Sequence, residues 1–268
     1  MKPFFPLESR SSDASSDTML GLLAFLIVTA SAPAYAADDG SVLHGSEAYA
    51  GVFVGSAEVD NRLIDVDGFA NWGNPGSVTR YGDAGFVGGV LIGKKFNFGG
   101  TLIRLELDGT IGDLEAQTNW LDPSPQGRDE TAVAEFQWVT TARVGIEKSF
   151  GSVTVFATGG LVRARIENSV TDIDFGSNRP TAVDPDDSFH DRSTETGWVI
   201  GLGAEIPLTR GWMARLEGLR MDFGRNDYHV NHSRNNTCGG MLPRRSCLYR
   251  VENKLDVFRL VITRRIGW

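Results

Sequence analysis

Hydrolytic or transfer chemistry needs a nucleophile, a base and an orienting acid within reach of one another. The chain has four histidines, His44, His190, His229 and His232, and one close grouping of base and hydroxyl, His229-Val230-Asn231-His232-Ser233. No alternating pattern surrounds that grouping, so nothing rigid holds it to the sub-ångström tolerance of an active site. His229 and His232 are too few to define a metal or haemin site and read as solvated loop residues. Asp172, Asp174, Asp184, Asp186, Asp187 and Asp191 crowd one stretch without the spacing of an EF-hand calcium loop. They read as a solvated face or as anchors for bridging divalent cations. No catalytic residue, cofactor or metal ligand is assigned, and the chain is not expected to be an enzyme.

The two cysteines, Cys238 and Cys247, lie close together in the polar stretch NNTCGGMLPRRSC. In an oxidising compartment they read as a disulfide closing a small loop. The alternative is two free thiols, and the absence of a CxxC pair argues against zinc.

The remaining chemistry-bearing residues are charges that alternate with apolar side chains, the mark of a half-buried strand. Along residues 101–113, Ile103, Leu105, Leu107 and Ile111 oppose Arg104, Glu106 and Asp108. Along 138–147, Trp138, Val144 and Ile146 oppose Thr141, Arg143 and Glu147. Along 197–206, Trp198, Ile200, Leu202 and Ile206 oppose Gly201, Gly203 and Glu205. At the C-terminus Phe258, Leu260, Ile262, Ile266 and Trp268 oppose Arg259, Thr263 and Arg265, with Arg264 interrupting the apolar face near a strand end. Four further segments, 48–59, 84–96, 153–167 and 212–223, alternate only in part, so side-chain facing in the first, second, fifth and seventh strands is not assigned.

Eight strands result, and their connections alternate in length. Short ones fall at 97–100, 149–152 and 207–211; long polar ones at 60–83, 114–132, 168–193 and 225–253. Short turns at one end and long loops at the other are the pattern of a transmembrane β-barrel, and a soluble sandwich has no reason to sort loops this way. If the apolar faces meet lipid, the charged faces line a narrow lumen. Arg104, Glu106, Asp108, Arg143, Glu147, Glu205, Arg259 and Arg265 then form a lumen charge network, in which buried charges of both signs must pair.

The chain has 268 residues, 41% of them hydrophobic, which suits one domain or two small ones. A formal net charge of -8 argues against nucleic acid as a partner. The apolar run MLGLLAFLIVTA (19–30), followed by Ala34-Tyr35-Ala36, reads as a signal peptide (1–36) cleaved after Ala36, the alternative being an uncleaved anchor helix. A short periplasmic segment (37–47) would then precede the barrel (48–268). Trp268 closes the last amphipathic strand as an insertion signal, and its ring suits a membrane interface.

Several stretches carry a resemblance. Gly85-Phe86-Val87-Gly88-Gly89, Leu105-Glu106-Leu107-Asp108-Gly109, Thr141-Ala142-Arg143-Val144-Gly145 with Phe156-Ala157-Thr158-Gly159-Gly160, and above all TGWVIGLGAEIPLTRGWMARLEGLRMDFG (196–224), resemble the small outer-membrane β-barrels of the porin family, with the architecture of the OmpA transmembrane domain. The likeness spans about 48–268. Members often carry Tyr where Ile146 and Ile206 stand and Phe where Trp268 stands, and the long loops match no known pattern. The resemblance implies an all-β, eight-stranded antiparallel up-and-down barrel in the bacterial outer membrane, structural in role. The alternatives are a small-solute porin, or a loop-based adhesin or haemin receptor. Implied partners are outer-membrane lipid and lipopolysaccharide, the barrel-insertion machinery, and a host or surface ligand through the loops; the barrel is expected to be a monomer.

Overall fold

The computed structural model describes residues 47–66, 68, 75–98, 101–118, 131–176, 179–230 and 247–266, with the backbone alone at 98, 172–176 and 179–187. The expected signal peptide, the segment 37–46, Cys238, His232, Ser233 and Trp268 lie outside the described residues.

The elements are β1 (Glu47–Asp65), β2 (Ser77–Phe98), β3 (Thr101–Gly112), β4 (Glu115–Gln117), β5 (Thr131–Phe150), β6 (Val153–Gly176), β7 (Arg179–Pro207), β8 (Trp212–His229) and β9 (Leu248–Ile266). Every pairing is antiparallel. The ring closes because β3 pairs with β5 and β1 pairs with β9. The short β4 continues the line of β3 after Asp113 and Leu114 and pairs with the same neighbour, Glu115 opposite Glu135. The ring therefore has eight staves.

Chemistry fixes the turns at the short-loop end. Gly151 between β5 and β6 has φ 63°, and Gly211 before β8 has φ 80°, values that cost glycine nothing. Leu208 N–H donates to the Trp212 carbonyl at 2.8 Å, and Arg265 N–H donates to the Gly211 carbonyl at 2.9 Å, tying the turn to β9.

The four strands with incomplete alternation now have assigned faces. Val52 and Val54 on β1, Phe86, Val90 and Ile92 on β2, Val153, Val155 and Leu161 on β6, and Trp212 on β8 are exposed on the outer wall. Tyr49, Phe53 and Ala57, Val87 and Leu91, Phe156 and Val162, and Arg215, Glu217 and Leu219 turn inward on the same strands. Together with Leu105, Leu107, Ile111, Val144, Ile146, Trp198, Ile200, Leu202, Phe258 and Leu260, the outward set forms one apolar band around the short-loop half.

The strands run well past that band. A stave needs about 9–11 residues to cross a bilayer, yet β6 has 24 and β7 has 29. Most of the expected loop 168–193 is therefore β-hairpin, and β1, β2, β8 and β9 also extend into the expected long loops. Those connections read as polar from sequence, with little hydrophobic material for a second core. Instead Val170, Phe189, Tyr228, Tyr249 and Val251 join Ala134, Phe136, Ile166, Met221 and Phe223 in an apolar core inside the projecting half. Outside it, cross-strand ion pairs such as Arg192–Glu167, Arg225–Glu252 and Arg250–Asp227 face water. Polarity thus inverts along the axis: apolar outside and charged inside in the lower half, the reverse above. Among the described residues no helix is long and apolar enough to cross a membrane, and the barrel crosses with strands.

Candidate functional site

The strand period of two sends alternate residues of every stave into the lumen. In the lower half these residues are charged. Arg104, Glu106 and Asp108 come from β3, Arg143 and Glu147 from β5, Glu205 from β7, Arg215 and Glu217 from β8, Arg259 from β9 and Lys95 from β2.

They pair in a continuous web. Arg104 Nη2 donates to Glu205 Oε2 at 2.7 Å, and its Nε donates to Glu147. Lys95 donates to Glu205 and lies 3.1 Å from Glu147, forming the lip nearest the short turns. Arg143 is the hub. It donates to Glu106 Oε2 at 3.0 Å, Asp108 Oδ2 at 2.8 Å and Glu217 Oε1 at 2.5 Å, with Thr141 and Thr158 at 3.1 and 3.3 Å. Arg215 Nη1 donates to Glu106 Oε1 at 2.6 Å, and Arg259 bridges Asp108 at 3.0 Å and Glu217 at 2.9 Å. Tyr49 donates to Glu106 at 2.7 Å, and Thr141 donates to Asp108 at 2.8 Å. Five cations face five carboxylates, so the web carries no net charge.

Aromatic rings complete it. The Arg104 guanidinium sits 4.1 Å from the Phe156 centroid and Arg259 sits 4.2 Å from that of Phe53. Arg104 Nη1, Arg215 Nη2 and Arg259 Nη1 have no hydrogen-bond acceptor, and ring faces give such cations an alternative partner. Glycines in the wall make room for the rings: a Cβ at Gly93 would lie 2.3 Å from Tyr49 Cζ, and one at Gly203 2.3 Å from Phe156 Cζ. The side chains of Arg104, Arg143, Arg259, Glu106, Asp108 and Glu217 have no exposure at all, so no water-sized space adjoins them.

Of the residues picked from sequence, Arg104, Glu106, Asp108, Arg143, Glu147, Glu205 and Arg259 come together here. Arg265 does not, and its assignment to the lumen is corrected. It lies on the rim with its side chain 56% exposed and pairs with Glu47, because β9 has passed the last inward layer at Thr263. Arg215, Glu217, Lys95 and Tyr49 went unassigned. Arg215 and Glu217 stand two apart in MARLEGL, a spacing that signals a shared face, but Met213 and Leu219 on the same parity obscured it. Arg264 reaches outward over the Trp212 ring.

A second, smaller polar knot sits in the apolar upper core. Tyr228 donates to Glu195 at 2.9 Å, Asn168 to the Tyr228 hydroxyl at 3.0 Å, and Asn253 to Glu195 at 3.2 Å. Burial pushes the Glu195 carboxyl above the usual carboxylate range, against the pull of those donors. Of the histidines, His190 lies 3.4 Å from Glu167 and His229 is exposed. Cys247 is buried and disulfide-bonded.

The model of the outer membrane protein beta-barrel domain matches residues 20–236, most of the chain. The chain belongs to that family. It is also 30% identical over 155 residues to the 31 kDa outer-membrane immunogenic proteins of Brucella melitensis and Brucella suis, an alignment covering 56% of this chain and 59% of each relative. Among solved structures it is similar to OprG of Pseudomonas aeruginosa, at 14% identity and TM-score 0.46 over 84% of this chain and 98% of that one. It is also similar to the protease OmpT of Escherichia coli, at 10% identity and TM-score 0.46 over 85% and 99%. Family and relatives place the chain in the bacterial outer membrane; barrels of that membrane keep their short turns periplasmic and their long connections extracellular, which puts the projecting half outside.

Proposed function

We propose that this chain is a structural barrel of the outer membrane, closed through its lumen, that meets the outside through its projecting extracellular half. The observation carrying this reading is the neutral web of five cations and five carboxylates, six of whose side chains have no solvent exposure. An open pore needs a file of water; a layer that leaves no water-sized space blocks it. The name of the Brucella relatives, outer-membrane immunogenic protein, suits a barrel displayed at the surface. Catalysis is not part of the proposal.

The test is conductance of the refolded protein in a planar bilayer, with folding verified by heat-modifiable gel migration. A silent bilayer is expected. Reproducible unit steps that change when Arg104, Glu106 or Arg143 is neutralised would overturn the closed reading in favour of a small-solute channel.

A further inference from the structure

On the extracellular half the outer wall is a lattice of paired charges. Arg62 and Arg225 reach Glu252, Arg192 reaches Glu167, Arg220 reaches Asp256, Arg250 reaches Asp227 and Lys254 reaches Asp222. Three described arginines on this wall stand apart, with no carboxylate within ion-pair distance: Arg80, Arg163 and Arg165.

Two of these share a place. Arg163 and Arg165 lie on one face of β6, directly beyond Leu161, the last exposed apolar residue among the described side chains of that stave. Two and four residues at about 3.4 Å each, on a stave tilted by about 40°, put them roughly 5 and 10 Å beyond the apolar band. That is the depth of the headgroup layer. Tryptophans stand at either end of the pair: Trp138 on β5 opposes Arg165, and Trp198 on β7 opposes Leu161, one outward step nearer the band than Arg163. Hydroxyls surround them, with Thr140 and Thr196 opposite Arg163 and Thr194 opposite Arg165. The next outward residue, Glu167, is held by Arg192. Arg80 has no such setting, since it stands further beyond the band on β2, opposite Arg62.

We infer that Arg163 and Arg165, with Trp138 and Trp198 beside them, form a site on the outer wall for the phosphate of a glycolipid in the outer leaflet. Guanidinium groups bind phosphate through paired, charge-assisted hydrogen bonds. Tryptophan anchors at the interface hold the stave at headgroup depth. A carboxylate-paired arginine would have to surrender its partner first; these two do not.

The test places the refolded chain in phosphatidylcholine vesicles with and without lipid A and follows the temperature at which the compact gel species converts to the unfolded one. Lipid A is expected to raise that midpoint, and lipid A stripped of phosphate is not. In R163Q/R165Q most of the gain disappears, the half-saturating lipid A content rises about tenfold, and the midpoint without lipid A is unchanged. R80Q keeps the full gain. The inference is overturned if R163Q/R165Q retains the gain, or if phosphate-free lipid A matches the intact lipid. Free inorganic phosphate reproducing the effect would mark a soluble-anion site and refute the lipid source. The comparison of lipid forms on the unaltered chain stands even where the variant does not refold.

Discussion

Replacing Arg143 with methionine tests the closed web at its hub. The guanidinium donates to Glu106, Asp108, Glu217, Thr141 and Thr158, and its side chain is wholly buried. Without it Glu106 keeps Arg215 and Tyr49, Asp108 keeps Arg259 and Thr141, and Glu217 keeps only Arg259. Four cations then face five carboxylates, leaving one buried charge uncompensated. Breaking a buried pair in this way costs about 3–5 kcal/mol. Water entering the gap sets the lower end of that range. The second variant, R143M/E217Q, restores the balance, so its loss should fall short of the sum of the singles by about 1–3 kcal/mol. Urea unfolding in vesicles, followed by gel migration and tryptophan fluorescence, gives the stabilities; bilayer current gives the lumen. R143M should conduct at least transiently where the unaltered chain is silent, and R143M/E217Q should be quieter. A loss under about 1 kcal/mol for R143M, together with additive behaviour in the double variant, would refute the reasoning.

Other consequences can be checked with the same assays. Valine at Gly203 must displace the Phe156 ring from beneath Arg104 and Arg215, so G203V should destabilise the barrel by about 1–3 kcal/mol, whereas valine at Gly109, whose added Cβ meets nothing within 4 Å, should cost far less. Glu195 has a raised folded pKa, so it favours folding in its protonated form: stability should rise as pH falls through that raised value towards the ordinary range, and E195Q should remove that part of the pH dependence of the urea midpoint. Reduction of the disulfide at Cys247 should loosen the extracellular end by about 2–3 kcal/mol, read as faster exchange of the β8 and β9 amides above the band, while heat-modifiable migration persists.

Much of this architecture was legible because a barrel in lipid inverts the usual burial rule and keeps the strand period. Thr101–Gly112 announced itself, since Arg104, Glu106 and Asp108 interrupt Leu105 and Leu107 at every second position. The projecting half was not legible. Its described outward residues, among them Ser169, Thr171, Arg192, Arg225 and Asp227, are polar or charged, so the sequence looks like loop until cross-strand pairs such as Arg250–Asp227 are seen. Arg215 and Glu217 escaped for a related reason: β8 passes from charged lumen to apolar core, and Leu219, Met221 and Phe223 continue the inward face with the opposite polarity. Local alternation cannot register a change of interior.

That change of interior says what the web is for in structural terms. In the lower half lipid lies outside, so burying apolar side chains against one another gains little over leaving them in the membrane. Register must be specified by the lumen instead. A one-residue slip of β3 against its neighbours would turn Arg104, Glu106 and Asp108 towards lipid, and an arginine at the bilayer midplane alone costs about 2–4 kcal/mol. The slip would also strip Glu205, Glu147 and Arg143 of their partners across the lumen. Above the band water returns on the outside, the hydrophobic effect returns with it, and Phe136, Ile166, Met221 and Leu255 take over the same task. One ring of strands is thus held in register by electrostatics where it touches lipid and by apolar packing where it meets water.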